Sequence, residues 1–516
     1  MSRRWRVAVC PLPSRAATGR AHYRIHSCPP PRHGRWRPIS FTRFGLIALA
    51  VALVAGCASV SPQADRAALH KLLAPSITGA LTGDAQPQAA PDDASRATVD
   101  ALLREPLDAQ AAVRIALLQS PRVQQAFATL QLSDAERVQA ATLPNPVFSF
   151  GRLREGRRLE IDRALGFDVL GLLTLPWQAR WAGQRHEVAR LEAAQQIAQV
   201  AADTRRAWVR AVAAQQGVAY LSDARDAADT GAALAQRMAK AGNWSAVRRT
   251  REELLQADAA AQLARAEQAA IASREQLTRL LGLSQEQAAS FRLPDRLPPL
   301  PASLPERTKV QATALRERLD VRAAQAQLQA TADAQGLTRA TRFVDALEIG
   351  AVRNSSFAND AERGRSTERG VELSLPIPLF DWGQARSARA EALYLQSAAR
   401  VRATAVQAAS EAREAHAAWQ TTWQVAHRYQ AEVLPLRQKL NDEMLLRYNG
   451  MLASVWELLA EARASALAVN AAMGAQRDFW LADTDLLLAL TGASPAGLSA
   501  LQGGDGDAVA TAGGSH

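Results

Sequence analysis

Cysteine and aromatic residues are scarce in this chain of 516 residues. The only cysteines are Cys10, Cys28 and Cys57, too few for a disulfide-rich scaffold. Aromatic residues make up 5% of the chain. We also find no Ser/His/Asp arrangement, phosphate-binding loop or metal cluster at usable spacing. The histidines after residue 57 are scattered and are predicted to be solvated: His70, His186, His416, His427 and His516. We therefore predict neither an enzyme nor a protein with a resident metal or cofactor.

Acidic residues are absent from the first 56 positions, which carry ten arginines. The net charge of the whole chain is +11, a value that alone would favour nucleic acid or an anionic membrane surface as a partner. Without residues 1–56, however, the chain has 51 basic and 50 acidic residues. The basic character belongs to this leader, and we predict no nucleic-acid partner.

Residues 1–56 have the features of a secretory signal peptide. A basic stretch ending at Arg43 precedes an apolar run over 44–55 that is too short for a stable membrane anchor. Small residues directly before Cys57 are typical of a lipobox, so we predict that Cys57 is acylated, with palmitate among its acyl chains. Ala58 permits sorting to the outer membrane. The alternative is a plain signal peptide followed by a chance cysteine.

An internal duplication organises the rest of the chain. Leu-Pro and Gly-Gln landmarks recur 200 residues apart, at Pro176 and Gly183 and again at Pro376 and Gly383. Each time, alternating apolar residues end just before the Pro, and an alanine-rich helical pattern follows the Gly. We predict that these positions mark two seams between a strand and a long helix.

Each repeat is predicted to contain a helix, two strands, a very long helix, a turn and a second long helix. The first hairpin covers 147–170, and the second has a polar loop over 353–368. The long helices cover about 178–241 and 383–448, with Pro435 as a kink. The predicted domains are a signal peptide (1–56), a lipidated polar tether (57–106), a first repeat (107–283), a proline-rich linker (284–314), a second repeat (315–492) and a disordered tail (493–516).

The predicted elements suit a membrane duct. The first long helix would extend roughly 90–95 Å, which is too long for a compact domain. Strands of about nine to eleven residues cross a bilayer, and lipid cannot satisfy the edges of a four-stranded sheet. Closure therefore requires further copies, and a dimer, trimer or tetramer is permitted. A polar face suits a water-filled lumen; its acidic members are Glu160, Asp162, Glu348 and Glu372.

Four segments of the sequence resemble the TolC-like outer-membrane efflux proteins, particularly their lipoprotein branch. They are 143–146, 373–386, 447–450 with Ser454, and 457–459. The resemblance implies a mainly α protein with membrane β-structure: a homotrimer whose twelve-stranded β-barrel continues into a twelve-helix α-barrel. Such a protein lies in the outer membrane of a Gram-negative bacterium, contacts its lipid and projects into the periplasm.

The resemblance also implies a function and partners. The expected function is the exit duct of a tripartite efflux pump for small toxic compounds or metal ions. Its partners would be a periplasmic adaptor (membrane fusion) protein and an inner-membrane transporter. One alternative is the duct of a type I protein secretion system. An alternative of another class is a structural periplasmic coiled-coil lipoprotein without a pore.

In this family the helical turns lie at the periplasmic end, contact the adaptor and form the closed aperture. The matching positions, expected to face the adaptor, are Ala241, Gly242, Trp244, Ser245, Tyr448, Gly450, Ser454 and Glu457. Gly242 and Gly450 also suit tight helix ends. Asp442, Glu443 and Arg447 lie in the last two helical turns before this end and are candidate aperture residues. The alternative for these three is an ordinary solvated helix surface.

Overall fold

The structure is a computed structural model that describes residues 62–75, 93–156, 158–343, 346–357 and 365–495. The chain divides into two units, Met1–Cys57 and Ala58–His516, and all described residues belong to the second. The predicted signal peptide, the predicted lipidation site Cys57 and most of the predicted tail over 493–516 lie outside the described residues.

Helices make up most of the described chain. They are α1 (Pro62–Leu73), α2 (Asp93–Leu102), α3 (Ala109–Gln119), α4 (Pro121–Ala140), α5 (Val169–Lys240), α6 (Ala246–Leu281), α7 (Gln285–Ser290), α8 (Val310–Glu317), α9 (Leu319–Ala340), α10 (Gln384–Arg428), α11 (Leu434–Asn449) and α12 (Val455–Thr491). The strands are β1 (Val147–Glu155), β2 (Arg158–Asp168), β3 (Glu348–Phe357) and β4 (Arg365–Ser374). Among the described residues, no helix is both long enough and apolar enough to cross a membrane.

The two hairpins form one antiparallel sheet in the order β1-β2-β3-β4. Its register places Leu165 of β2 between Phe148 of β1 and Ala351 of β3, with Val371 of β4 beyond. Neither outer strand has a partner strand within the described part of the chain. The sheet therefore presents two unpaired edges, as the sequence predicts.

The two faces of the sheet differ sharply in charge, because residues paired across antiparallel strands point to the same side. All seven acidic residues of the strands lie on one side, here called the acidic face: Glu155, Glu160, Asp162, Asp168, Glu348, Glu368 and Glu372. The other side, here called the arginine face, carries most of the large apolar residues. It also carries Arg152, Arg154, Arg163, Arg353, Arg365 and Arg369.

The prediction of a polar loop over 353–368 is wrong for most of that range. Strand β3 continues to Phe357, and β4 begins at Arg365. The alternation of apolar and polar residues that predicts a strand is absent from this stretch, because polar residues lie on both sides of the sheet. In the structure β2 supplies backbone partners to β3 as far as the pair Leu159 and Phe357, so pairing rather than hydrophobicity extends the strands.

The first strand–helix seam lies earlier than predicted. Strand β2 ends at Asp168, whose Oδ1 accepts a hydrogen bond from the Gly171 backbone N–H at 2.8 Å and caps α5. Pro176, predicted to end the strand, lies inside α5, and Gly183 lies farther along the same helix. Pro176 removes one backbone hydrogen bond near the helix start, a cost that the remaining 72-residue helix tolerates. At 1.5 Å per residue α5 is about 108 Å long.

The second copy is built differently at the same landmarks. Pro376 follows β4 by two residues, and Gly383, in the left-handed conformation with φ +73°, directly precedes α10. Farther along, the predicted single helix is interrupted by a π-helical turn over Tyr429–Val433. Pro435 stands in the first turn of α11, where its missing N–H costs little.

The predicted tether and the predicted linker both contain packed structure. The predicted tether includes α1 and α2, whose Leu69, Leu73 and Val99 are buried in the main core with α5. The predicted linker over 284–314 contains α7 and part of α8, and Phe291 is buried in the same core. The low apolar content of these segments does not predict packed helices. A few leucines are enough to hold such a helix when a neighbouring helix covers them.

The core lies where the shorter helices pack around α5, α10 and α12. In the first cluster, the Trp208 indole N–H donates to the Leu107 carbonyl at 2.6 Å. In the second, buried Trp419 packs with Phe479 and Leu486. The long helices are otherwise lined with alanine, which permits close packing of nearly parallel helices.

Candidate helical tip and strand–helix seams

Two turns come together at one end of the long helices. The first turn, over 241–245, joins α5 to α6, and the second, over 450–454, joins α11 to α12. We call these two turns the tip. Trp244 of the first turn stacks on Trp456, just after the second, with ring centroids 3.9 Å apart and an interplanar angle of 20°. The repeats therefore meet at the tip through an aromatic pair.

Trp456 was missed by the sequence analysis, which named only Trp244. Each turn has a tryptophan within two residues of the serine that caps the next helix, Ser245 or Ser454. In a chain with so few aromatic residues, this recurrence was the available signal. The offset between the two copies concealed it, because Trp244 precedes its serine and Trp456 follows its own.

A serine caps the helix that follows each turn. The Ser245 hydroxyl accepts from the Arg248 backbone N–H at 3.4 Å. The Ser454 hydroxyl accepts from the Glu457 N–H at 3.3 Å, and Glu457 Oε2 accepts from the Ser454 backbone N–H at 2.7 Å. The hydrogen bonds from the Ser454 backbone and hydroxyl, together with nearby Arg447, lower the pKa of Glu457.

The two tip glycines differ in conformation. Gly242 has φ +76°, so glycine is favoured there for the backbone reason that we expected. That reason does not hold for Gly450, whose φ is −78°. The left-handed residue of the second turn is Met451, with φ +59°. The second turn thus places an apolar side chain on a residue with a left-handed backbone.

The tip is accessible in the single chain. Of the eight residues predicted to face an adaptor, Trp244 is half-buried and the others are exposed. Met451 and Leu452, which the sequence analysis did not name, are 94% and 76% exposed. Exposed apolar side chains beside the capped turns give the tip an exposed apolar surface.

Farther from the tip, ion pairs connect the helices that follow and precede the two turns. Arg463 of α12 contacts Glu252 of α6 at 2.5 Å, and Arg437 of α11 contacts Glu461 of α12 at 3.1 Å. The first pair joins the two helical hairpins, and the second lies within one of them. The turns are therefore held by both aromatic stacking and partly buried ion pairs.

The candidate aperture residues lie on α11 as expected. Asp442, Glu443 and Arg447 are all exposed, and none forms an ion pair with another described residue. The charge of Arg447 contributes to the lowered pKa of Glu457. Both expectations, an aperture role and a solvated helix surface, are compatible with this placement.

One buried group has the composition of a metal site. Ligand atoms of Asp65, Asp134 and His186 lie within 4.8 Å of one another. However, Arg137 contacts Asp134 at 2.6 Å, and Arg190 contacts Asp65 at 3.4 Å. Two arginines already compensate the two carboxylates, which favours an ion-pair cluster over a cation site.

The same cluster corrects one expectation about histidine. His186 is buried rather than solvated, and its Nε2 lies 3.0 Å from Asp65 Oδ1. Asp65 belongs to α1, inside the segment predicted to be a polar tether. The contact therefore holds α1 against α5, and sequence reasoning could not find it without knowing that α1 folds back.

An exposed apolar segment follows β4 at the second seam. Its large side chains are exposed, with Phe380 at 98%: Leu375, Ile377, Leu379, Phe380 and Trp382. Gly383 ends the segment, and a Cβ at this position would lie 2.6 Å from the Arg342 carbonyl oxygen. The close approach and the positive φ both require glycine there.

Comparison of the sequence with protein-family models gives no match, and comparison with curated proteins gives none either. Solved structures do match. A membrane protein from Pseudomonas aeruginosa has a TM-score of 0.62 at 20% identity, over 77% of this chain and 94% of that one. The CmeC outer-membrane channel of Campylobacter jejuni has a TM-score of 0.62 at 15% identity, over 75% and 86%.

A third match agrees with these two. The outer-membrane protein VceC of Vibrio cholerae has a TM-score of 0.60 at 16% identity, over 75% of this chain and 96% of that one. TM-scores of 0.60 to 0.62 over three quarters of this chain show a shared fold. The predicted resemblance to the TolC-like proteins is therefore confirmed at the level of the fold, which this chain shares with the CmeC channel and the outer-membrane protein VceC.

Proposed function

We propose that the protein is the outer-membrane exit duct of a tripartite efflux pump. The observation that carries this proposal is the direct connection of an open four-stranded sheet to a 72-residue helix. The sheet has the strand length of a membrane barrel, and the helix is long enough to project far from it. Such a chain can connect a membrane with a distant point outside it, an arrangement that suits a duct better than an enzyme.

The unpaired edges of the sheet support a homotrimer. Hydrocarbon cannot satisfy the free N–H and C=O groups of β1 and β4, so the edges must pair with those of other copies. Two, three or four copies would each close an even-numbered barrel. We choose three, with twelve strands and twelve helices, because the fold resembles the TolC-like channels.

The two faces of the sheet suit the two sides of a barrel. The acidic face would line a water-filled lumen, because its carboxylates need solvation. The apolar residues of the arginine face would contact lipid. A predicted acyl chain on Cys57 would add a lipid anchor, so Cys57→Ser should abolish incorporation of labelled palmitate while leaving the barrel strands unchanged.

The tip would meet a periplasmic adaptor protein. Its exposed apolar residues, Met451 and Leu452, and its capped turns offer both hydrophobic contact and a defined shape. An inner-membrane transporter would supply the energy, and the duct itself would catalyse nothing. We assign small toxic compounds or metal ions as cargo, with selection made by the transporter.

Single-channel recording in planar lipid bilayers tests the duct. Full-length protein purified in detergent should insert as trimers and give discrete, long-lived conductance steps. A preparation that is trimeric and folded but never conducts would refute the duct in favour of a scaffold. Crosslinking before insertion establishes the oligomer, so the two results are read on the same sample.

A deletion strain tests the cargo class. We expect the strain to become sensitive to dyes, antibiotics or metal salts and to recover when the gene is restored. Loss of a secreted polypeptide with unchanged sensitivity would instead assign the duct to type I secretion.

A further inference from the structure

A row of three arginines crosses the arginine face. Arg163 of β2 is paired with Arg353 of β3, which is paired with Arg369 of β4. The Cβ atoms of directly paired residues lie about 4.5–5.5 Å apart, and like charges at this separation destabilise a sheet. The row therefore needs compensating negative charge.

The described part of the chain does not supply that charge. Every acidic residue of the four strands lies on the acidic face. None of the three arginine side chains has an ion pair or hydrogen bond to another described residue. Arg353 and Arg369 are exposed, and Arg163 is half-buried. The partner must come from outside this face.

The surroundings of the row indicate what that partner is. Toward the hairpin ends the face carries three more arginines, Arg152, Arg154 and Arg365. We call all six arginines the arginine zone. Toward the long helices the face is apolar, and its large residues are Phe148, Leu165, Phe167, Ile349, Val371 and Leu373. A ligand that covers both parts has an anionic head and an apolar tail.

We propose that the arginine zone binds the phosphate groups of anionic lipids in the membrane leaflet nearer the hairpin ends. The inference rests on the proposed function, because it takes the arginine face to be the lipid-facing side of a barrel. Arginine is costly in the hydrocarbon and tolerated at its boundary. Its guanidinium donates two parallel hydrogen bonds to phosphate oxygens.

The zone also sets the depth of the barrel in the membrane. The apolar rows and the exposed apolar segment after β4 lie in hydrocarbon and at the opposite boundary. The arginine row lies at the middle of β2, β3 and β4 and marks the level where phosphate begins. The proposal therefore places the half of each strand nearer the hairpin end outside the hydrocarbon. A trimer would carry three such rows, one on each chain.

Native mass spectrometry of the full-length protein in detergent tests the proposal. The probes are dioleoyl phosphatidylglycerol, which is anionic, and dioleoyl phosphatidylcholine, which is zwitterionic. The wild type should bind phosphatidylglycerol more tightly. The triple variant Arg163→Gln/Arg353→Gln/Arg369→Gln should bind it about a hundredfold more weakly, since each surface arginine contributes about fivefold.

A matched control removes three exposed arginines that also lack an ion pair or hydrogen bond to described residues, but lie on the helices: Arg265, Arg402 and Arg413. This variant should keep the wild-type preference. Replacement of Arg163, Arg353 and Arg369 by lysine should restore part of the binding, because the charge remains and the bidentate geometry is lost. Inorganic phosphate in excess should compete poorly, since it has no acyl chain.

Wild-type binding also tests the inference without any substitution. Affinity for phosphatidylglycerol should fall as salt concentration rises. Equal affinity for both lipids at every salt concentration, or an unchanged preference in the folded triple glutamine variant, overturns the inference. Conductance of the same preparations separates the two proposals: conducting trimers without lipid preference refute only the lipid site, whereas non-conducting trimers refute the duct.

Discussion

Arg318 is a fully buried cation in the helical body. It donates to Asp320 at 2.9 and 2.6 Å and to Glu411 at 2.8 Å. Although burial opposes its charge, these contacts raise the pKa of Arg318. Glu411 also accepts from Ser494 and Gln407. Against the effect of burial, these hydrogen bonds and that from Arg318 lower the pKa of Glu411.

We predict that Arg318→Met destabilises the protein by about 3–5 kcal/mol at pH 7, because two partly buried carboxylates lose their cation. The pKa of Glu411 is lowered from about 4.5 on folding. Its contribution is therefore complete above that pH and is lost as the pH falls through the folded value. The difference between wild type and variant should shrink below about pH 4.5.

Denaturant unfolding followed by circular dichroism, at pH 7 and below about pH 4.5, measures the loss of stability in the variant. Arg316→Met is the matched control, because the Arg316 side chain is 76% exposed and its one ion pair among the described residues is with neighbouring Glu317. It should cost less than about 0.5 kcal/mol. Equal losses for the two variants would contradict the buried-pair account.

The two tip glycines give a second prediction at the residue scale. Gly242→Ala should destabilise the first turn by about 1–2 kcal/mol, because φ is +76° and no side-chain contact offsets the strain. Gly450→Ala should be nearly neutral, since its φ is −78°. Hydrogen exchange of the flanking helix ends measures both, and a larger loss at Gly450 would argue against these conformations.

At the scale of elements, α5 starts at the first seam, directly after the end of β2. Asp168 caps the helix, and a Cβ at Gly171 would lie 2.3 Å from the Asp168 carboxylate. The capped turn is therefore tight, whereas Gly183 has no neighbour within 4 Å of an added Cβ. The seam depends on Asp168 and Gly171 rather than on the repeated landmarks.

We predict opposite effects from two substitutions in α5. Asp168→Ala should destabilise by about 1 kcal/mol through loss of the cap. Gly183→Ala should stabilise by up to about 1 kcal/mol, because alanine is the better residue in a helix interior. Thermal unfolding in one detergent compares them. A destabilising Gly183→Ala would contradict a continuous helix through this position.

The stacked tryptophans couple the two tip turns. We predict that Trp456→Ala raises hydrogen exchange over 241–245, because Trp244 loses the ring that it packs against. Trp382→Ala is the control, since Trp382 lies in the exposed segment after β4. It should leave exchange at the tip unchanged. Equal exchange in wild type and Trp456→Ala would show that the turns are held without the stack.

At the scale of the whole molecule, charge is separated between the two sides of the sheet. If the acidic face lines the lumen, each chain contributes seven carboxylates and only Arg158 as a basic strand residue. A narrow, acidic lumen raises the local concentration of cations. A duct lined by this face would favour cationic cargo.

We predict that the channel prefers cations. Under a KCl gradient the reversal potential should show cation preference, and Glu368→Gln/Glu372→Gln should reduce it, because both carboxylates belong to the acidic face. The control Asp295→Asn/Glu306→Gln removes two exposed charges outside the sheet. Anion preference in the wild type would place the acidic face outside the lumen.

Sequence reasoning found the elements whose signals are local. The hairpins, the capped turns and the long helices follow from alternation, from serine caps and from alanine-rich patterns, and the structure contains all of them. It failed where a distant element supplies the stabilisation. Pairing with β2 extends β3 through polar residues, and packing against α5 folds α1 and buries His186.

The sequence alone determined the repeat, the alternation of the strands and the positions of the tip turns, because each depends on residues close in the chain. Only the tertiary structure decided the register that aligns Arg163, Arg353 and Arg369. It also decided the contact between Trp244 and Trp456 and the packing of the predicted tether. Register and packing join elements that are far apart in the chain, such as those of Trp244 and Trp456, and no local pattern of side chains specifies which of them meet.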